Sequence, residues 1–238
     1  MYTMRKIIII LAVCAIAVPV FAQTQPSVGT RLDALKKENQ DVIESMRGEM
    51  KQRQAEFKEM MAVQRIAVKR SIDAKRADLQ KRLATIRDER KKKLVEKIDA
   101  QMDALNERWT DHFSNVTDHL EVIVVKIEER TAQAETRGRD GSGVKNAVAD
   151  AKSAIAASRT AVATQAGKTY GIAVSTEDSL RVEVGKARKA LHDDLASVRD
   201  TVKSAREAVH KAAVALAQAV RAENRQATPT PSAANNAQ

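Results

Sequence analysis

No proline interrupts the chain between Pro26 and Pro229. Proline breaks helices because its ring removes a backbone donor and clashes with the preceding turn. Its absence permits long helices, and the apolar spacing asks for them. From Val28 to Ile127 a seam of 28 positions advances by three or four residues at each step, a mean of about 3.67. Leu32, Leu35, Val42, Met46, Phe57, Leu79, Leu83, Met102, Trp109, Phe113, Leu120 and Ile127 lie on it. That spacing follows an eleven-residue repeat, which gives a nearly straight or weakly right-handed supercoil. Aromatic residues make up only 3% of the chain, so a large compact core is not available to it.

The first helix is expected over residues 28 to 136, about 160 Å at 1.5 Å per residue, with its continuity through Gly48 left open by the sequence. "TRGRDGSG" (136–143) ends it, because its three glycines supply a turn and a left-handed cap. A second helix over 144–165 carries Val144, Val148, Ala151, Ile155 and Val162 on one face. "KTYGIAVST" then alternates Tyr170, Ile172 and Val174 and reads as extended. Ser175 or Thr176 caps a third helix over 177–224, with Leu180, Val184, Leu191, Leu195, Val198 and Val202 on its stripe. The predicted fold is all-α: a long coiled-coil-like helix followed by an antiparallel bundle of three helices. The bundle covers residues 96–225, with helices over 96–136, 144–165 and 177–224. Its core is expected from Trp109, Phe113, Leu120, Ile127, Leu191, Leu195 and Val202.

The second and third helices are too short to cover more than the last part of the first. Residues 28–95 are therefore expected to form an extended rod whose seam has no partner in the same chain. A helix is stabilised mainly by packing, so Leu32, Leu35, Val42, Met46 and Phe57 are expected to meet a partner helix. That partner would be a second copy or another envelope protein.

Both ends look different. Arg5 and Lys6 precede an apolar run, "IIIILAVCAIAV", and "VFA" precedes Gln23. This is the pattern of a secretory signal over residues 1–22, with cleavage after Ala22. The alternative is an uncleaved signal that anchors the chain in a membrane. Residues 23–27 form a linker, and 226–238 a low-complexity tail expected to be disordered. Cys14 is the one cysteine, so the cleaved chain has neither disulfide nor thiol chemistry.

Charge is concentrated. Residues 65–97 hold 13 Lys or Arg against 5 Asp or Glu. The pairs Lys69–Arg70, Lys75–Arg76 and Lys81–Arg82 recur every six residues, and Arg90, Lys91, Lys92 and Lys93 follow. Six residues turn a helix by about 600°, so successive pairs wrap the helix as a collar. Such a collar suits an acidic envelope polymer, lipid head groups or an acidic protein. With no aromatic residue among the cations to stack on bases, nucleic acid is disfavoured. Membrane contact is expected only through the signal or through surface charge. The bland alternative is a solvated basic helix.

No residue constellation signals catalysis. His112 and His119 are seven apart and lack a third ligand, so neither metal nor cofactor is expected. The glycines at 138, 141 and 143 follow no strand and make a turn rather than a phosphate loop. "NVT" (115–117) matches a glycosylation sequon but sits mid-helix beside core positions.

A signal followed by a basic, aromatic-poor helical rod resembles the Skp-type periplasmic chaperones, which hold unfolded outer-membrane proteins between helical arms. That family also has a small β-rich trimerisation body, for which this chain offers only "KTYGIAVST". "LNERWTDHFSNVTDHLEVIVVKIEERT" and "KTYGIAVSTEDSLRVEVGKARKALHDDLASVRDTVKSAREAVHKA" are more similar to the exported helical coiled-coil proteins of reduced-genome bacteria. That resemblance implies no activity. The expected function is an exported, non-enzymatic structural or interaction protein of the cell envelope. The alternatives are a holdase chaperone for unfolded envelope proteins and a polyanion-binding protein.

Overall fold

The computed structural model describes the backbone of residues 28–226 and the side chains of residues 33–221. The signal, linker and tail lie outside these residues, as does the Leu32 side chain. Among the described residues the chain is all-α, with no strand. Its four helices are α1 (Val28–Leu83), α2 (Glu89–Glu135), α3 (Ser142–Ala166) and α4 (Leu180–Gln226).

The single long helix expected over 28–136 does not form. The chain leaves the helix after Leu83 and re-enters at Glu89. Backbone bonds from Thr85 N to Arg82 O and Ile86 N to Leu83 O tighten the end of α1, and the Thr85 hydroxyl also donates to Arg82 O. Asp88 then caps α2, its Oδ1 accepting from the N–H groups of Arg90 and Lys91. A capping carboxylate satisfies donors that have no intrahelical partner and sits at the positive end of the helix dipole. Leu83 and Ile86 are 2% and 4% exposed, so the turn is driven inward by two apolar side chains.

α1 consequently folds back on α2. Its cations pair with α2 carboxylates in reverse order: Arg47 with Glu129, Arg53 with Glu121, Lys58 with Asp118, Arg65 with Asp111, Lys75 with Asp103. The two helices are antiparallel, and the part of the rod from about residue 47 to 83 has a partner within the chain. Phe57 and Met61 are buried, Met46 is half-buried, and Leu35 and Val42 are exposed.

α2 ends in a Schellman turn. Gly138 has φ 82°, a left-handed conformation that disfavours a side chain, and Arg139 N bonds to Ala134 O. α3 runs back and stops beside the middle of α2, where Asn106 Nδ2 donates to Gln165 O. The segment after α3 makes no strand. It crosses the remaining length as an irregular strap, with Tyr170 and Ile172 buried and Val174 packed against the core. α4 starts at Leu180, after a turn in which the Thr176 and Ser179 side chains each accept from the other's backbone N–H.

α2 touches all three other helices, and α3 does the same, whereas α1 and α4 do not meet. The core has two parts. Around the strap, Leu79, Leu83, Val95, Met102, Phe113, Tyr170, Ile172, Leu191 and Leu195 pack together. Towards the other end, Leu120, Val124, Ile127, Val148, Ala151, Ile155, Ala205, Val209 and Ala212 do so. Ala151, Ala205 and Ala212 are fully buried, and such small residues let helix axes approach closely.

Candidate functional site

The basic collar divides in two. Lys75 and Arg76 point inward and share Asp99 and Asp103. Lys75 Nζ lies 3.1 Å from Asp99 Oδ1 and 2.8 Å from Asp103 Oδ1, while Arg76 lies 3.7 Å and 3.2 Å from the same two carboxylates. Asp99 is 1% exposed, and Lys75 also donates to Tyr170 O. This cluster ties α1 to α2 and to the strap, so the two cations are structural and not free for an outside ligand. Arg82 pairs with Asp78, Lys92 with Glu89, and Lys91 with Glu177. The last pair links the start of α2 to the segment before α4. It holds the Glu177 carboxyl below its usual range, with the Arg87 N–H as the next contributor.

The remaining collar cations are exposed, and among the described side chains none has an ion-pair partner. They are Lys69, Arg70, Lys81, Arg90 and Lys93. Lys81, Arg90 and Lys93 flank the α1–α2 turn, and Lys69 and Arg70 sit three turns up α1. The result is a basic cap at one end of the molecule rather than a collar around a free rod.

α2 is neutralised from a second side. Arg159 of α3 bonds to Asp118 and Glu121 at 2.8 Å each, Lys152 to Glu128 and Lys145 to Glu135. The Arg159 guanidinium also lies 5.2 Å over the Phe57 ring, joining three helices. Alternating bases on α1 and acids on α2 were visible in the sequence. Without the turn at 84–88 there was no register in which to align them.

A buried polar chain crosses the strap. Gln165 Nε2 donates to Asn106 Oδ1 and to the Tyr170 hydroxyl, and that hydroxyl donates to Asp194 Oδ2 at 2.7 Å. Burial, then the Asp194 carboxylate, push the Tyr170 hydroxyl well above the usual tyrosine range. The Tyr170 bond, then that of Lys168, hold Asp194 below its usual range. Every member has a partner, so the chain fixes the strap rather than presenting a reactive group.

The α2–α4 seam is open to solvent on the side away from α1. A cleft of about 390 Å³ is lined by Ile98, Leu105, Trp109, Leu191, His192 and Arg199 among others. Trp109 was expected in the core. It is 39% exposed, tilted against Phe113 at 5.4 Å and edge-on to His112 at 5.6 Å. Thr110, the next residue, is 1% exposed, because α2 is covered by three helices and its buried face takes in Asn106, Thr110 and Thr117 beside Phe113 and Leu120. Phe113, Leu120, Ile127, Leu191, Leu195 and Val202 are buried. A second cleft of about 600 Å³ lies further along the seam, floored by Ile127, Ala134, Leu216 and Val220 and edged by Lys126, Arg130, Arg137 and Arg221.

Among the described residues no group of three His, Cys, Asp or Glu side chains is placed to hold a metal ion. No described helix is long and apolar enough to cross a membrane. No family model matches the chain, and no curated protein or solved structure is similar to it.

Proposed function

We propose that this chain is an exported, non-enzymatic interaction protein of the cell envelope. In this reading it is a coiled-coil-like antiparallel helical bundle that offers a basic end to acidic envelope material. The observation that carries the proposal is the division of the collar. Half of its cations are used internally, while Lys69, Arg70, Lys81, Arg90 and Lys93 remain exposed near one end with no partner among the described side chains. Clustered cations without internal partners raise the local concentration of polyanions in a salt-dependent way. The test is retention on an immobilised acidic polymer across a salt series. Changing these five residues to Gln should abolish retention at low salt. Retention that ignores both salt and the substitutions rejects the proposal.

A second reading, a holdase for unfolded envelope proteins, is favoured by the open α2–α4 cleft with Trp109 on its edge. The chain has one tryptophan, so its fluorescence reports that cleft alone. Adding an unfolded membrane protein that lacks tryptophan should blue-shift the emission at stoichiometric ratio. An unchanged spectrum rejects the holdase.

A further inference from the structure

α1 is longer than the surface it packs on. Arg47 lies opposite Glu129, and α2 ends at Glu135, so α2 runs out opposite about residue 41 of α1. α1 begins at Val28, which leaves an overhang of roughly 14 residues, about 20 Å. Leu35, 50% exposed, continues its inward stripe beyond the end of α2, and Val42, 43% exposed, lies at the last turn that α2 reaches. Glu38 and Asp41 lie along one flank of that stripe, and neither has an ion-pair partner among the described side chains.

The cleft at the same end of the molecule is cationic along its rim, opposite in sign to that acidic flank, although Arg31, Lys36 and Lys37 leave the overhang as a whole without net charge. Its apolar floor runs between α2 and α4 from Ile123 to Ala134, and Lys126, Arg130, Arg137 and Arg221 edge it with no carboxylate in the lining. None of those four cations pairs with a carboxylate among the described side chains. From Ile123 to Ala134 the cleft follows α2 for about 17 Å, close to the length of the overhang. The overhang cannot reach this cleft in its own chain, because α1 and α4 lie on opposite sides of the α2–α3 pair and do not meet.

We infer that the α1 overhang of one copy seats in the α2–α4 cleft of a second copy, and the reverse, forming a two-fold dimer joined end to end. Leu35 and Val42 cover the apolar floor, and Glu38 and Asp41 meet Arg130 and Arg137. Overhang and cleft lie at the same end of each copy, so reciprocal seating about a two-fold axis closes at two. The cationic cap around Lys81 and Arg90 then faces outward at both ends of the dimer. This deepens the interaction-protein reading, because one dimer would bridge two acidic surfaces. The two fail separately, since retention on acidic polymer does not require the dimer.

The experiment is a pair of charge reversals, followed by sedimentation of each variant alone and of their mixture. Glu38→Lys with Asp41→Lys makes overhang and cleft both cationic. Arg130→Glu with Arg137→Glu makes both anionic. All four positions are exposed, and helix content by circular dichroism confirms folding in each variant. Wild type should dimerise, each variant alone should associate at least ten-fold more weakly, and an equal mixture should dimerise again. The mixture pairs each lysine overhang with a glutamate cleft and each native overhang with a native cleft. A wild type that stays monomeric at high concentration, a dimer indifferent to both reversals, or a mixture that fails to recover overturns the inference.

Discussion

At the scale of single residues, the most consequential contact is Lys75 between Asp99 and Asp103. Removing one partner of a buried charge cluster leaves the others desolvated and uncompensated, at a cost of about 3–5 kcal/mol. Lys75→Met should destabilise the protein by about that amount in denaturant titration, because only Arg76, 3.7 Å away, then faces the fully buried Asp99. Lys69→Met, on the exposed surface six residues earlier, should change stability by no more than about 0.5 kcal/mol. Equal effects at the two positions would show that Lys75 is solvated in solution. Tyr170 gives a pH prediction of definite sign. Its folded-state pKa is raised, so its contribution is fully present below the ordinary tyrosine pKa of about 10 and is lost as pH climbs above that value. Tyr170 is the sole tyrosine once Tyr2 is replaced. In a Tyr2→Phe background, tyrosinate absorbance should therefore appear well above pH 10 and together with loss of helix. Tyr170→Phe should shift the alkaline unfolding upward. Ionisation near pH 10 in a chain still helical would remove the hydrogen bond to Asp194 from the account.

At the scale of elements, the decisive feature is the five-residue break between α1 and α2. Composition hides it. Residues 84–88 contain neither Gly nor Pro, and the apolar steps of three and four run through Leu83 and Ile86 without a gap. The legible signal was Asp88 followed by Glu89, a capping residue and an acid in the first turn. An (i, i+4) pairing of Asp88 with Lys92 reads equally well from sequence. The all-α class, the Gly turn at 138–143 and the α4 stripe follow from local patterns and were legible. The full buried face of α2 was not, since it depends on which helices fold onto it. Packing by α1, α3 and α4 buries Thr110 beside Phe113 and leaves Trp109 at the cleft edge, and the same unread docking hid the inward half of the collar from the outward half. The break is tested by spin labels at Lys51 and Lys126 with Cys14→Ser. A continuous helix puts them about 110 Å apart. Packed antiparallel helices have axes only about 8–10 Å apart, so in the hairpin the labels fall within the range of pulsed dipolar spectroscopy. A missing dipolar signal would restore the rod.

At the scale of the whole molecule, stability is graded along α1. Between residues 33 and 56 no α1 side chain is buried, and the segment from 47 to 56 is held to α2 mainly by Arg47–Glu129 and Arg53–Glu121. From Phe57 onward Phe57, Met61, Leu79 and Leu83 enter the core. Apolar burial is worth about 25 cal/mol per Å² and is insensitive to moderate salt, whereas part-exposed ion pairs are each worth about 0–1 kcal/mol and are screened by it. The two halves of α1 should thus separate in hydrogen exchange at dilute concentration. Amides of residues 47–56 should exchange much faster than those of 57–83, and added salt should accelerate the first group while leaving the second unchanged. The lysine and arginine content that makes the chain basic would then have two roles at different places. Near the α1–α2 turn it faces outward over a stable core. Along the first half of α1 it docks a helix whose free end is available to another surface. Uniform, salt-independent protection along the whole of α1 would mean that the apolar contacts alone hold it, and that its cations are ordinary surface charge.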